Sequence, residues 1–147
     1  MEKDTIINFL LKAKKSTYAA KGAESESSRP QSHDLKYQED QLLYIDSYLG
    51  GENFAGEEAV WIKETPVWAM NYYGHIIASG FEGDFLKEAL SNVSAELPYR
   101  GPAEYIKDDL KYKCSLNGDF EYFKGYEAIY KKDNKVYECR FHGGIIK

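Results

Sequence analysis

Apolar and polar positions change their period several times along the chain, and each change marks an element. Between Asp4 and Lys15, Ile6, Leu10 and Ala13 fall on one stripe with Ile7 and Leu11 beside it, which predicts an amphipathic helix. Asp4 is placed as its N-cap, and Lys12, Lys14 and Lys15 crowd its last turn, where the helix dipole favours cations. Gly22–Ser32 has no period and reads as a loop that wraps the fold. From His33 onward the period is two. His33–Gln38, Leu42–Leu49, Phe54–Ile62 and Val67–Tyr73 read as four strands, turned at Glu39-Asp40, at Gly50–Asn53 and around Glu64-Thr65-Pro66. Leu42–Leu49 is apolar on both faces, which gives it a central place in a sheet. A second helix is predicted from Phe85 to about Val93 behind an Asp84 cap, stopped by the stiff segment Leu97–Pro102.

The last third alternates most clearly. Leu110, Tyr112, Cys114 and Leu116 share one parity, and Asn117-Gly118 supplies a two-residue hairpin turn. Phe123 lies on the parity opposite to Tyr126, Ala128 and Tyr130, so one extra residue must be absorbed, and Gly125 is the expected bulge. A turn at Asp133-Asn134 then sets Tyr130 against Tyr137, Ala128 against Cys139 and Tyr126 against Phe141, and pairs Glu127 with Arg140 on the other face. In this meander Cys114 and Cys139 are two strands apart, too far for a disulfide. The expected fold class is α+β, a single domain over residues 1–147. It has an N-terminal helix, a four-stranded antiparallel meander, a second helix and a three-stranded antiparallel meander, forming one curved sheet or two packed ones.

Charge narrows the function classes. A net charge of −5 argues against nucleic-acid binding through bulk electrostatics, which wants a basic face. No apolar run has the length of a membrane span, and the acidic start Met-Glu-Lys-Asp is not a secretory signal, so the expected compartment is the cytoplasm. Zinc spacings, a P-loop, GxGxxG, GxSxG and HExxH are absent, and the sequence identifies no cofactor.

One constellation stands out. The hairpin at Glu39-Asp40 sets His33 opposite Asp46, on the face of Tyr44 and Tyr48, and a four-residue loop at Gly50–Asn53 sets Asp46 opposite Glu57. A histidine beside two carboxylates suits acid–base chemistry or a divalent metal, and Arg29 just upstream suits an anionic group. The plain alternative is polar residues satisfied at a sheet rim, and a one-residue register change removes the constellation. Trp61, Trp68, Tyr72 and Tyr73, with Asn71, suit either a pocket wall or the core. Of Glu57 and Glu58, strand neighbours, one faces the buried side. His75 is read as exposed, His142-Gly143-Gly144 as a C-terminal turn, and both cysteines as inert core residues.

Several phrases of the sequence resemble one family. They are Ser27-Ser28-Arg29-Pro30-Gln31-Ser32-His33-Asp34-Leu35, Tyr44-Ile45-Asp46-Ser47-Tyr48-Leu49-Gly50-Gly51-Glu52 and Phe54-Ala55-Gly56-Glu57-Glu58-Ala59-Val60-Trp61. Pro66-Val67-Trp68-Ala69-Met70-Asn71-Tyr72-Tyr73-Gly74, Pro98-Tyr99-Arg100-Gly101-Pro102 and Phe141-His142-Gly143-Gly144 complete the set. Together these resemble the uncharacterised bacterial domain family DUF5680, from about Phe9 to Lys147. The resemblance implies a module that stands alone or follows the helix-turn-helix of XRE-family transcriptional regulators. It carries over no catalytic residue. Here one helix precedes the shared region, and one helix does not make a helix-turn-helix.

The expected function is therefore a non-enzymatic cytoplasmic sensor or regulatory module that binds a small molecule or a protein. Its expected site is Arg29, His33, Asp46 and Glu57, with Trp68 and Tyr72 as the apolar wall. One alternative is a small hydrolase or metal-dependent enzyme using His33, Asp46 and Glu57. Another is a pure interaction domain, pairing through a sheet edge or aromatic patch with a partner or as a homodimer.

Overall fold

A single antiparallel sheet of eight strands organises the computed structural model, which describes residues 2–17 and 23–147. Helix α1 (Lys3–Ser16) precedes strands β1 (His33–Glu39), β2 (Leu42–Gly50), β3 (Asn53–Ile62) and β4 (Thr65–Ile76). Helix α2 (Gly83–Ser91) then leads to β5 (Glu104–Lys107), β6 (Leu110–Asp119), β7 (Tyr122–Lys131) and β8 (Asn134–Ile145). The strand order is β1-β2-β3-β4-β8-β7-β6-β5. Two meanders thus meet at β4 and β8, whose pairing runs from Trp68 opposite Ile145 to Ile76 opposite Tyr137. The first meander has the expected four strands. The second has four and not three, because the short strand β5 adds to β6. Four residues, Glu-Tyr-Ile-Lys, are too few to show a period.

The pleat sends alternate side chains to opposite faces. On the inward face lie Tyr44, Val60, Trp68, Met70, Phe123, Ile129, Tyr137 and Phe141, all buried. The apolar stripe of α1 (Ile6, Phe9, Leu10, Ala13) and that of α2 (Phe85, Leu86, Ala89, Leu90) cover this face. Each such side chain removed from water contributes about 1.5–3 kcal/mol, so this face holds the fold together. Trp68 stacks on Phe120, with centroids 5.4 Å apart and ring planes 7° apart.

Four registers differ from expectation, three at their turns and the fourth between β7 and β8, where Tyr130 opposes Lys135, Ala128 opposes Glu138 and Tyr126 opposes Arg140 instead of Tyr137, Cys139 and Phe141. The β1–β2 turn is Asp40-Gln41, so His33 opposes Tyr48 and Asp46 opposes Leu35. This slides the pairing by two and keeps every face. Between β2 and β3, Gly50 pairs with Phe54, leaving a three-residue connection of Gly51, Glu52 and Asn53. Gly50 closes it with φ +94, which a side chain would strain. One residue fewer in the loop exchanges the faces, so Asp46 opposes Glu58 and not Glu57. The β6–β7 turn is Phe120-Glu121, where Asp119 Oδ1 accepts the backbone N–H groups of Glu121 and Tyr122. Asn117-Gly118 stays in the strand, and Phe120 is buried against Trp68.

The bulge also moves. The β7–β8 register shifts between Ile129 and Tyr130, not at Gly125. Glu127 therefore opposes Cys139 and faces inward, and the expected Glu127–Arg140 pair is not formed; Arg140 opposes Tyr126. Cys114 and Cys139 flank Glu127 on one face as free, buried thiols. His142-Gly143-Gly144 is β8 strand and not a turn, and Gly143 presses on the Ala69 carbonyl and Met70 Cα of β4. His75 is half-buried in β4, its Nε2 2.8 Å from Glu138 Oε2. The Asp4 and Asp84 cap positions fall inside their helices, which begin at Lys3 and Gly83. No helix among the described residues is long and apolar enough to cross a membrane.

Candidate functional site

The inward face is not purely apolar. Five charged side chains are buried among its rings: Lys14 from α1, Asp46 from β2, Glu58 from β3, Glu127 from β7 and Arg100 from the segment before β5. Burying a charge is costly unless it is paired and hydrogen-bonded, so the partners of each decide what the cluster does.

Two of the carboxylates have a cation of their own. Lys14 Nζ donates to Glu58 Oε1 at 2.5 Å and to the Tyr99 carbonyl at 2.6 Å, and the Tyr44 hydroxyl donates to the same Glu58 oxygen at 2.6 Å. Arg100 grips Glu127 through both oxygens, Nε to Oε1 at 3.0 Å and Nη2 to Oε2 at 2.7 Å. The hydroxyls of Tyr112 and Tyr137 donate to the same carboxylate at 2.7 and 2.6 Å. Burial pushes the Glu127 carboxyl up, but the Arg100 charge and these hydrogen bonds more than reverse it, and its pKa lies below the usual carboxylate range.

Asp46 is the third carboxylate, and it has no ion-pair partner among the described residues. It accepts a 2.5 Å bond from the Tyr72 hydroxyl. Burial, and then the neighbouring negative charge of Glu58, push its pKa up to about 7. Arg100 lies over the Tyr72 ring, its guanidinium carbon 5.2 Å from the ring centre, and is committed to Glu127, so it offsets the Asp46 charge only in part. Among the described residues of this face, two buried cations therefore meet three buried carboxylates, and Asp46 is the unmatched one.

Asp46 lines a cavity of about 340 Å³ between the sheet and α2. Tyr48, Phe54, Tyr72 and Tyr137 form its sheet wall, Phe81, Leu86 and Lys87 its helix side, and His33 and Arg100 also line it. The His33 ring stacks on Tyr48 at 4.8 Å, and its Nδ1 meets Glu24 at 2.8 Å. The volume is at the low end of small-molecule sites, and the lining combines five Phe and Tyr rings with His33, Asp46, Lys87 and Arg100, the mix of apolar wall and polar groups such sites use.

Of the six residues singled out from sequence, His33, Asp46 and Tyr72 come together here. Arg29 and Glu57 do not. They line a groove of about 700 Å³ on the outward face, where Arg29 donates to Ser47 Oγ at 2.9 Å. His33, Asp46 and Glu57 thus do not converge. No group of three or more His, Cys, Asp and Glu side chains suited to a metal forms among the described residues. Trp68 is core, stacked between ring neighbours and fully buried.

The sequence sets Tyr44 on the face of His33 and Asp46 and one of Glu57 and Glu58 on the buried side, but Lys14, Arg100, Tyr112, Glu127 and Tyr137 were missed as site residues. A signal existed for two. Lys14 continues the apolar stripe Ile7–Leu10 at helical spacing, and Glu127 continues the parity of Phe123, Gly125 and Ile129. Arg100 lies in the phrase Pro98-Tyr99-Arg100-Gly101-Pro102, where no period points to burial.

Neither the curated proteins nor the solved structures contain a match to this chain. A family model does match, described as a domain of unknown function, DUF5680, over residues 46–146. That span holds Asp46, Tyr72, Arg100 and Glu127, and it leaves α1 and β1, with Lys14 and His33, outside. With more than half of its length matched, the chain belongs to the DUF5680 family.

Proposed function

We propose that this protein is a cytoplasmic sensor or regulatory module whose ligand is a small organic molecule seated between the sheet and α2. The supporting observation is Asp46, a buried carboxyl on a cavity wall with no paired cation among the described residues. Such a group costs stability, and a buried polar group held at that cost is characteristic of a site. Its setting among rings matches the way small-molecule sites combine apolar walls with a few orienting polar groups.

A thermal-shift panel of metabolites, nucleotides and aromatic amines tests this, run beside a variant with the cavity closed. Gly83 is exposed at the edge of the cavity, and a Cβ built there meets nothing within 4 Å, so Gly83→Trp sets a bulky side chain at the cavity's edge without pressing on the fold. A ligand at 100 times its Kd adds about 2.7 kcal/mol to the native protein. That shift should vanish in a folded Gly83→Trp variant. A shift that persists there places the site elsewhere.

A second reading, docking of a protein partner, draws on the outward groove. Ile45, Ala59 and Trp61 form an apolar strip there beside Arg29 and Glu57. Loss of partner binding in Trp61→Ser, with the cavity variant unaffected, would favour it.

A further inference from the structure

The cavity's own charges narrow the chemistry of what it takes. We propose that the ligand is an organic cation, a protonated amine on an apolar or aromatic body, whose nitrogen sits against Asp46. This rests on the reading of the cavity as a small-molecule site.

The other buried charges around Asp46 are accounted for. Glu58 is matched by Lys14, and Arg100 is held by both oxygens of Glu127. Tyr44 spends its hydroxyl on Glu58, and Tyr72 spends its own on Asp46. His33 is engaged with Glu24, and Lys87 projects from α2 at the cavity lining. A cation arriving at Asp46 makes three positive charges for three negative ones. An anion seated against Asp46 would instead meet a buried charge of its own sign.

The walls agree with this. Phe54, Phe81 and Tyr137 line the same space, and aromatic rings attract cations. Burial also keeps the Asp46 carboxyl largely protonated below about pH 7, so the site becomes anionic only as the pH rises past that point. A bound cation favours the ionised form, and binding at neutral pH therefore releases a proton from Asp46.

The probes are phenethylammonium, its neutral isostere 2-phenylethanol, and the anion phenylacetate, each titrated into the full chain and followed by amide chemical shifts. Phenethylammonium should bind at least tenfold more tightly than 2-phenylethanol at pH 8, with phenylacetate weakest. Its affinity should fall about tenfold between pH 8 and pH 6, as the ionised fraction of a group with a pKa of about 7 falls. Asp46→Asn should abolish the preference for the ammonium while leaving 2-phenylethanol within about twofold, which shows the cavity intact. His33→Asn should keep the pH dependence. Equal affinities, a preference for phenylacetate, or an unchanged preference in Asp46→Asn would overturn the assignment to a cation while leaving the cavity a binding site. No response of cavity amides to any of the three would overturn the assignment together with the reading it rests on.

Discussion

Glu127→Gln should be among the most damaging isosteric changes available to this protein. Glu127 is fully buried and accepts four bonds, two from Arg100 and one each from Tyr112 and Tyr137. Glutamine keeps the shape, removes the charge and turns an NH2 group toward donors. The Arg100 guanidinium, itself buried, is left without its counter-charge. Removing one partner of a buried pair costs about 3–5 kcal/mol, out of a total stability of about 5–15 kcal/mol. At about 2.1 cal/mol/K per residue, a chain of this length loses about 3 °C of Tm per kcal/mol, so the melting point should fall by about 10–15 °C. Tyr137→Phe, which removes one of the four bonds, should cost about 1.5–3 kcal/mol. Urea unfolding of the three proteins at pH 7 measures both. Because the Glu127 pKa is lowered in the fold, its stabilisation is present above the unfolded carboxylate range and is lost as the pH falls through the folded value. The gap between native chain and Glu127→Gln should therefore narrow as the pH falls below the unfolded carboxylate range. A Glu127→Gln cost no larger than that of Tyr137→Phe would refute the reasoning.

Three further outcomes follow. Asp46 has the opposite sign: its pKa is raised in the fold, so it penalises the folded state increasingly as the pH rises from about 4 to about 7, and Asp46→Asn should match the native chain near pH 4 and melt higher at pH 8. Cys114 and Cys139 are pushed up to about 12 by burial, so neither thiol should react with a disulfide reagent at pH 8 until urea unfolds the chain. Gly143→Ala should cost about 1–3 kcal/mol by urea melt, since a Cβ there would press on the β4 backbone, which has no side chain to move aside.

The elements were legible because their periods are long and clean, as in Ile6–Ala13 or Leu110–Leu116. The union of the two strand groups through β4 and β8 was not, since pairing between segments about 70 residues apart leaves no local mark. Registers failed where turn chemistry was finely balanced. Gly50–Asn53 can close as three residues or four, and that one residue decided that Glu58, not Glu57, stands opposite Asp46. Asn117-Gly118 carries a strong turn signal, yet burial of Phe120 against Trp68 and the side-chain cap from Asp119 moved the turn onward. Half of the site was legible, because His33 and Asp46 kept their common face even as the β1–β2 pairing slid by two, and Tyr72, expected as a wall, lines the same cavity. The charged pairs were not, since a lone Glu127 or Arg100 in a sequence reads as solvent-facing until its partner is placed beside it.

The most direct measurement is a map of backbone amide shifts during a titration with the strongest hit of a small-molecule screen. Shifts should cluster at Tyr48, Gly51, Phe54, Phe81 and Leu86, which line the cavity beside Asp46. Shifts confined to Ile45, Ala55, Ala59 and Asn71 on the outward face, or no saturable shifts at all, would contradict the account.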